Sequence, residues 1–376
     1  MVWTAERSGV AVLPDTARAS VALPNGSSEI RQLAIAPADA DTGWLRVTAS
    51  GICGTDVGLY AAGVAEPTIL GHHVVGEIAS IGASAARRWG VRAGDRVVIE
   101  EYLPCGTCPT CRTGPYRLCP ATDIWGGGRR IGTIPVAESP GLLGGNADHV
   151  FLPPNAVVHP LPADLDEELA AWVLPYANAL DWTGGAGRLR PGDTVVVLGP
   201  GYHGLALVAA AVASGAGQVV VGGLDRDAER LEMAEALGGT PVVVGADDLT
   251  ARVRAATGGR DVDLVVDAVG TGPGVVVPAV ELLGHGGRLV LTSPKRPAAV
   301  GVDTARMVRR SLTVSAVRGR APEAIAAAIS SLADGSSHLD RVPTVAVDLD
   351  GVGDMLTRLA DGTGPESPHV VVRPSA

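Results

Sequence analysis

Cys105, Cys108, Cys111 and Cys119 form a C-x2-C-x2-C-x7-C run that uses four of the five cysteines in the chain. Four thiolates at this spacing can close a tetrahedral shell around one ion, and zinc accepts such a set without any redox demand. Gly106, Thr107, Pro109, Thr110 and Gly114 lie between or beside them and supply the tight turns that one lobe needs. A disulfide framework would need an oxidising compartment, which nothing else in the sequence suggests. The run therefore predicts a structural zinc lobe at residues 100–120, and by itself it names no reaction.

A second cluster does point to a ligand. Gly199, Gly201 and Gly204 make the G-x-G-x-x-G of GPGYHG, with Tyr202 and His203 inside it, directly after the strand-like VVVL and before an apolar helix. Glycines there permit a tight turn and close approach of a pyrophosphate, which then meets the free amides and positive dipole end of the helix. Outside that context the pattern is weak, since a glycine-rich turn can bind nothing; strand before and helix after make it a dinucleotide site. The carboxylate expected about 20 residues on, at the tip of the second strand, is displaced. The tip is Gly222-Gly223, Asp225 follows only after Leu224, and Arg226 and Arg230 are close by. NAD held through Asp225 and NADP held by the arginines both stay open, as does the reading of both arginines as ordinary solvated helix residues.

Two kinds of chain must position these groups. Up to about residue 160, Gly and Pro break the sequence into short apolar runs at 44–47, 74–81, 96–99 and 150–152, which suits antiparallel strands in a β-rich barrel. From Asp193, strands alternate with helices: strands at 194–198, 219–221, 242–244, 263–267 and 288–291, helices at 202–213 and 228–237. That alternation predicts a parallel sheet wrapped by helices on both faces. The tail adds an apolar run at 312–317, a helix at 322–333 and strands at 345–349 and 369–372. By the rule that ligands lie outside the carboxyl ends of parallel strands, 268–271 (with Val269) and 291–293 (with Thr292) are further cofactor contacts.

A length of 376 residues with 46% hydrophobic content suits two domains with substantial cores. The formal charge of −10 excludes a nucleic-acid surface. The first 14 residues carry Glu6 and Arg7 and no apolar stretch of a secretory leader, and the longest apolar run, 205–213, is too short to cross a bilayer, so a cytoplasmic protein is expected. Lys295 is the sole lysine.

GICGTD (51–56), GHHVVGEIASIG (71–82), AGDRV (93–97), the cysteine run, GGNADHV (144–150) and GPGYHG together resemble the medium-chain, zinc-type alcohol dehydrogenases, closest to their polyol and sugar branch, over essentially the whole chain. The resemblance implies a GroES-like catalytic domain built from residues 1–163 and 305–376, with a Rossmann domain inserted at 164–304. It also implies NAD or NADP as cofactor, a small-molecule substrate and a homodimer or homotetramer.

In that family the cysteine run is the structural zinc lobe, and a second, catalytic zinc is held elsewhere. Cys53 and His72 match its first two ligands, Thr55 a proton-relay hydroxyl and Asp56 the carboxylate that orients the ligand histidine. Singly, Cys53 reads as a small buried hydrophobe, His72 as a core histidine and Thr55-Asp56 as a loop cap. The family usually follows the histidine with glutamate; here stands His73. Its third ligand falls at Leu174, which cannot bind a metal. Three outcomes stay open: His73 joins as third ligand, water or substrate completes a weak two-ligand site, or the metal is lost. Neighbours in an extended backbone point to opposite sides, which counts against His73 unless a turn intervenes. The reading favours a retained but weakened site, since complete loss leaves no reason for both first ligands.

With zinc, the resemblance implies hydride transfer between nicotinamide and a secondary alcohol or ketone such as a polyol, cyclitol, sugar or amino alcohol, the metal polarising the substrate oxygen. Without it, the scaffold resembles reductases of C=N or C=C bonds, with Tyr176, Asp181, His73 or Thr55 as proton donor. A non-catalytic dinucleotide-binding relative is the third alternative. Asn178 matches a small polar residue near the nicotinamide, and His203 stands where it can touch the phosphates.

Overall fold

The computed structural model describes residues 13–245, 248–270, 272–298 and 301–374. Most of residues 1–14, and Thr271, fall outside them. The chain forms two compact units: Met1–Ala171 with Ala346–Gly364 and Val371–Ala376, and Trp172–Val345 with Pro365–Val370.

The first unit is antiparallel. Strand Gly43–Gly51 pairs with His73–Ile81 on one side and His149–Leu152 on the other, and Val371 and Val372 of the C-terminal strand join it opposite Gly51 and Ser50. His73–Ile81 passes the ladder to Arg96–Ile99, and that strand to Val158–Pro160. Alternate side chains, among them Leu45, Val47, Val74, Ile78, Val97, Ile99 and Val150, fill the core beneath. Strand Thr16–Ala22 pairs with Ser28–Ala34 and Thr68–Ile69 in a smaller sheet. The register matters for chemistry. Gly51 lies opposite His73, so Cys53, just past one strand end, and His72, just before the other, meet at the same edge.

The second unit is a six-stranded parallel sheet in the order Thr240–Val243, Gln218–Gly223, Thr194–Leu198, Val262–Asp267, Leu283–Leu291, Thr313–Ala316. Every residue of Thr194–Leu198 is buried, as a strand covered on both faces requires. The strand order reverses direction beside Thr194–Leu198, and its carboxyl end carries the glycine turn, the place where doubly wound sheets bind ligands.

The units divide the chain elsewhere than the expected boundaries at 163 and 305. Strand Thr313–Ala316 extends the parallel sheet next to Leu283–Leu291, and helix Pro322–Ala333 packs on helix Val173–Leu180. Residues 305–345 therefore belong with the second unit, because a parallel sheet edge accepts the apolar run at 312–317 as its next strand. The chain returns to the first unit through helix Val352–Ala360, which packs on helix Gly54–Ala62.

Candidate metal centres and dinucleotide site

Helix Gly54–Ala62 begins immediately after Cys53, and the fold uses Asp56 to start it: Cys53 N donates to Asp56 Oδ2 at 2.9 Å. The other oxygen, Oδ1, accepts from Gly71 N at 3.1 Å and faces His72 Nδ1 at 3.0 Å. Asp56 is 1% exposed. An acceptor so placed puts the imidazole proton on Nδ1 and leaves Nε2 of His72 for a metal. Asp56 is thus both the helix cap and the group that orients the histidine.

The turn that would let His73 face the same side as His72 is present. Alternation applies only within a strand, and the strand begins at His73, leaving His72 in the bend made by Gly71. Gly71 has φ +92°, and a Cβ there would lie 2.5 Å from Asn146 Oδ1 and 2.8 Å from Ser50 Oγ, so no other residue fits this bend. The result is a cluster in which one ligand atom each from Cys53, His72 and His73 lie within 4.8 Å of one another. The two imidazole rings stand 4.5 Å apart at 72°. Tetrahedral zinc with bonds of about 2.3 Å to sulfur and about 2.05 Å to nitrogen sets donor separations near 3.5 Å, inside the 4.8 Å within which the three donor atoms lie. Burial pulls the His72 imidazolium down, but Asp56 and Cys53 outweigh it and hold the group well above its ordinary range. Asp56 and Cys53 thus favour a cation at this point, which a metal on Nε2 would supply in place of the second ring proton, and one sulfur with two nitrogens is a zinc donor set. Thr55 is exposed, its Oγ1 4.0 Å from Cys53 Sγ. Leu174 is fully buried within its helix and offers no donor.

The four remaining cysteines also converge. Sγ of Cys119 lies 3.7 Å from that of Cys108 and 3.6 Å from that of Cys105, and all four sulfurs fall within 4.8 Å of one another. Sulfurs at the corners of a zinc tetrahedron are about 3.8 Å apart, so the lobe is already at metal-binding dimensions. Backbone and hydroxyl hydrogen bonds from Thr107 bring the Cys105 thiol down to about 6, while burial pushes Cys111 up to about 12.

In the glycine turn the three glycines have three different duties. Gly199 has φ +94° and abuts Ala268 and Val269; a Cβ on Gly204 would sit 1.9 Å from Gly199 O; Gly201 has open space where its side chain would be. The first makes the turn, the third brings helix Tyr202–Ala213 against it, and the second leaves room for an incoming pyrophosphate. Tyr202 and His203 do not point at that space together. The Tyr202 ring is buried against Trp172 and His369, and His203 stacks on Trp182 at 5.2 Å with its Nε2 3.2 Å from Asn178 Nδ2. Asn178 Oδ1 in turn accepts from Arg320 Nη1 at 3.2 Å.

At the second strand tip, a Cβ on Gly223 would meet Pro200 Cγ at 3.0 Å and Leu231 Cδ2 at 3.1 Å, so a larger residue there requires these side chains to shift. Asp225 and Arg226 are exposed, whereas Arg230 donates to Glu366 O at 3.0 Å and so is partly committed. Thr292 Oγ1 donates to Asp267 O at 2.8 Å, and Val269 N donates to Asp267 Oδ1 at 3.0 Å. Tyr176, weighed as a proton donor, is fully buried with its hydroxyl 3.3 Å from Ser331 Oγ, and burial raises its pKa. Asp181 accepts from Ala321 N at 3.1 Å, an anchoring bond.

Sequence reasoning did not find Arg320 or the Asp267–Lys295 pair. The one sequence signal for the second is a lone lysine following a strand end.

Comparison with known proteins agrees with this fold. Residues 40–163 match the model of the alcohol dehydrogenase GroES-like domain, and residues 204–334 that of the zinc-binding dehydrogenases. A probable alcohol dehydrogenase of Mycobacterium tuberculosis is 37% identical over 347 residues, 89% of this chain and 93% of that protein. Sorbitol dehydrogenase of Bacillus subtilis is 31% identical over 287 residues, 74% of this chain and 75% of its own. Among solved structures, a putative zinc-binding dehydrogenase from Sinorhizobium meliloti bound to NADP superposes with TM-score 0.81 at 25% identity, covering 96% of this chain and all of that one (100%).

Proposed function

The chain belongs to the zinc-binding alcohol dehydrogenases with a GroES-like domain, and from that premise we propose that it is an NAD(P)-dependent oxidoreductase acting on a secondary alcohol or its ketone through a catalytic zinc held by Cys53, His72 and His73. The convergence of those three donors on one point, with Asp56 behind His72, is the observation that carries this reading. Relatives named for sorbitol, arabitol phosphate and erythritol or threitol favour a polyol, sugar, cyclitol or amino alcohol as substrate. A glycine strand tip with exposed Arg226 beside it lets the second unit accept NADP as well as NAD. A cytoplasmic homo-oligomer is the form proposed; among the described residues, no helix is long and apolar enough to cross a membrane.

Zinc bound by these residues supplies Lewis acidity at the substrate oxygen, and the nicotinamide supplies the hydride acceptor. The protein does the rest. Asp56 keeps the proton on His72 Nδ1, so that Nε2 stays a neutral donor. Thr55 Oγ1, exposed beside Cys53, takes the proton released from the alcohol and passes it to water. The open space at Gly201 receives the pyrophosphate, which the amides at the start of helix Tyr202–Ala213 hold.

The test is turnover of a panel of polyols and other secondary alcohols with NAD and NADP, combined with zinc analysis. The proposal expects two zinc ions per chain and activity that a mild chelator removes before it empties the cysteine lobe. One zinc per chain with chelator-resistant reduction of an imine or enone would replace it with the metal-free reductase.

A further inference from the structure

Every cationic side chain in this protein is an arginine or histidine except Lys295. That single lysine is buried, 7% exposed, and paired at 2.7 Å with Asp267, which is fully buried. Its Nζ also donates to Val269 O at 2.7 Å and Gly270 O at 2.8 Å, and lies 3.3 Å from Ser293 Oγ. A compact ammonium can converge on several acceptors in this way, whereas a planar guanidinium cannot. Because Asp267 Oδ1 binds Val269 N, both backbone groups of Val269 are tied to one ion pair.

Burying such a pair is no gain over apolar packing, so stability alone does not account for it. Its position does. Asp267 ends strand Val262–Asp267 alongside Leu198, the residue before the glycine turn, and Ala268 N donates to Leu198 O at 2.9 Å. A Cβ on Gly199 would meet Ala268 C and O and Val269 Cγ2, each at 3.3 Å. The loop held by Lys295 is therefore one wall of the glycine turn. With the Val269 carbonyl drawn toward Lys295, the planar trans peptide turns Gly270 N–H the opposite way, and Gly270 is exposed.

We propose that Lys295 is a positioning residue for the dinucleotide: it fixes the backbone of 268–270 against Gly199 so that this loop forms part of the dinucleotide cradle. The inference rests on the dinucleotide reading given above. It is tested by titrating wild type, Lys295→Met and Lys295→Arg with NADH and NADPH, following tryptophan fluorescence, with melting temperature and zinc content measured in parallel. Lys295→Met is expected to lose about ten-fold or more in dinucleotide affinity, the scale of one charge-assisted hydrogen bond. Its KM for dinucleotide should rise while its KM for alcohol and its zinc content stay put, and Lys295→Arg should recover part of the loss. A folded Lys295→Met that binds dinucleotide as wild type does overturns the inference. A wild type that binds neither dinucleotide removes the reading beneath it and the inference with it.

If the methionine variant does not fold, the wild type carries the test. Acetylation of the sole lysine, read by peptide mass, should slow at least ten-fold at saturating dinucleotide, since a ligand bound to the closed loop suppresses opening. An unchanged labelling rate overturns the inference.

Discussion

Replacing Asp56 with asparagine isolates the group that holds the proposed Cys53, His72 and His73 metal site together. The carboxylate accepts three hydrogen bonds, from Cys53 N at 2.9 Å, Gly71 N at 3.1 Å and His72 Nδ1 at 3.0 Å, from a side chain 1% exposed. An amide keeps one acceptor oxygen and presents an NH2 to whatever faces the other. If its oxygen serves Gly71 and His72, the NH2 confronts the Cys53 amide; flipped, it confronts His72 and the tautomer is lost. At least one charge-assisted bond disappears, worth about 1.5–3 kcal/mol, or about 10–100-fold in an equilibrium constant. That range agrees with the about 10–100-fold in metal affinity that outer partners of ligand histidines contribute. The assay is competition with a chromogenic chelator, which resolves two zinc ions per chain. Asp56→Asn should release one of them at about 10–100-fold lower chelator strength, while the ion in the Cys105, Cys108, Cys111 and Cys119 lobe serves as an internal reference. Identical release curves for wild type and variant would refute the reasoning.

Other outcomes follow from the same geometry. His73→Ala should weaken only the Cys53–His72 zinc, by about 100–1000-fold if each ligand carries a quarter of the about 10–16 kcal/mol typical of a four-ligand site; a Cys53–His72 site that binds zinc as tightly in the variant as in wild type, by equilibrium dialysis, would show that His73 is no ligand. Gly204→Ala places a Cβ 1.9 Å from Gly199 O, so dinucleotide binding measured by calorimetry should vanish, and retained binding would contradict the turn assignment. His369 is stacked on Trp172 and Tyr202, and burial pushes its pKa down to about 3. The unfolded chain takes up that proton below about pH 6.5, whereas the folded one resists it until about pH 3, so stability is full above about 6.5 and falls with pH through that window. Urea midpoints should show a loss of about 2–3 kcal/mol from this residue between pH 6.5 and 4.5, absent in His369→Gln; an unchanged pH slope in the variant would refute it.

The glycine turn was legible because strand, turn and helix are contiguous: the expected elements at 194–198 and 202–213 coincide with Thr194–Leu198 and Tyr202–Ala213. The cysteine lobe was legible for the same reason, its ligands being close neighbours in sequence. The Cys53, His72 and His73 cluster was only half legible. Cys53 and His72 carried the family pattern, but the facing of His73 depends on where the strand begins, and that is fixed by the left-handed bend at Gly71. The boundary expected at 305 differs from the division of the units because an edge strand such as Thr313–Ala316 looks the same in sequence whichever sheet it joins. Asp267 and Lys295 meet only when two neighbouring strands of the sheet align, so no local pattern announces them.

Diffraction at the zinc absorption edge, on crystals grown with dinucleotide, tests the central claim most directly. Two anomalous peaks per chain are predicted, one among the four lobe cysteines and one bonded to Cys53 Sγ and to a nitrogen of each of His72 and His73. A single peak, confined to the lobe, would contradict it.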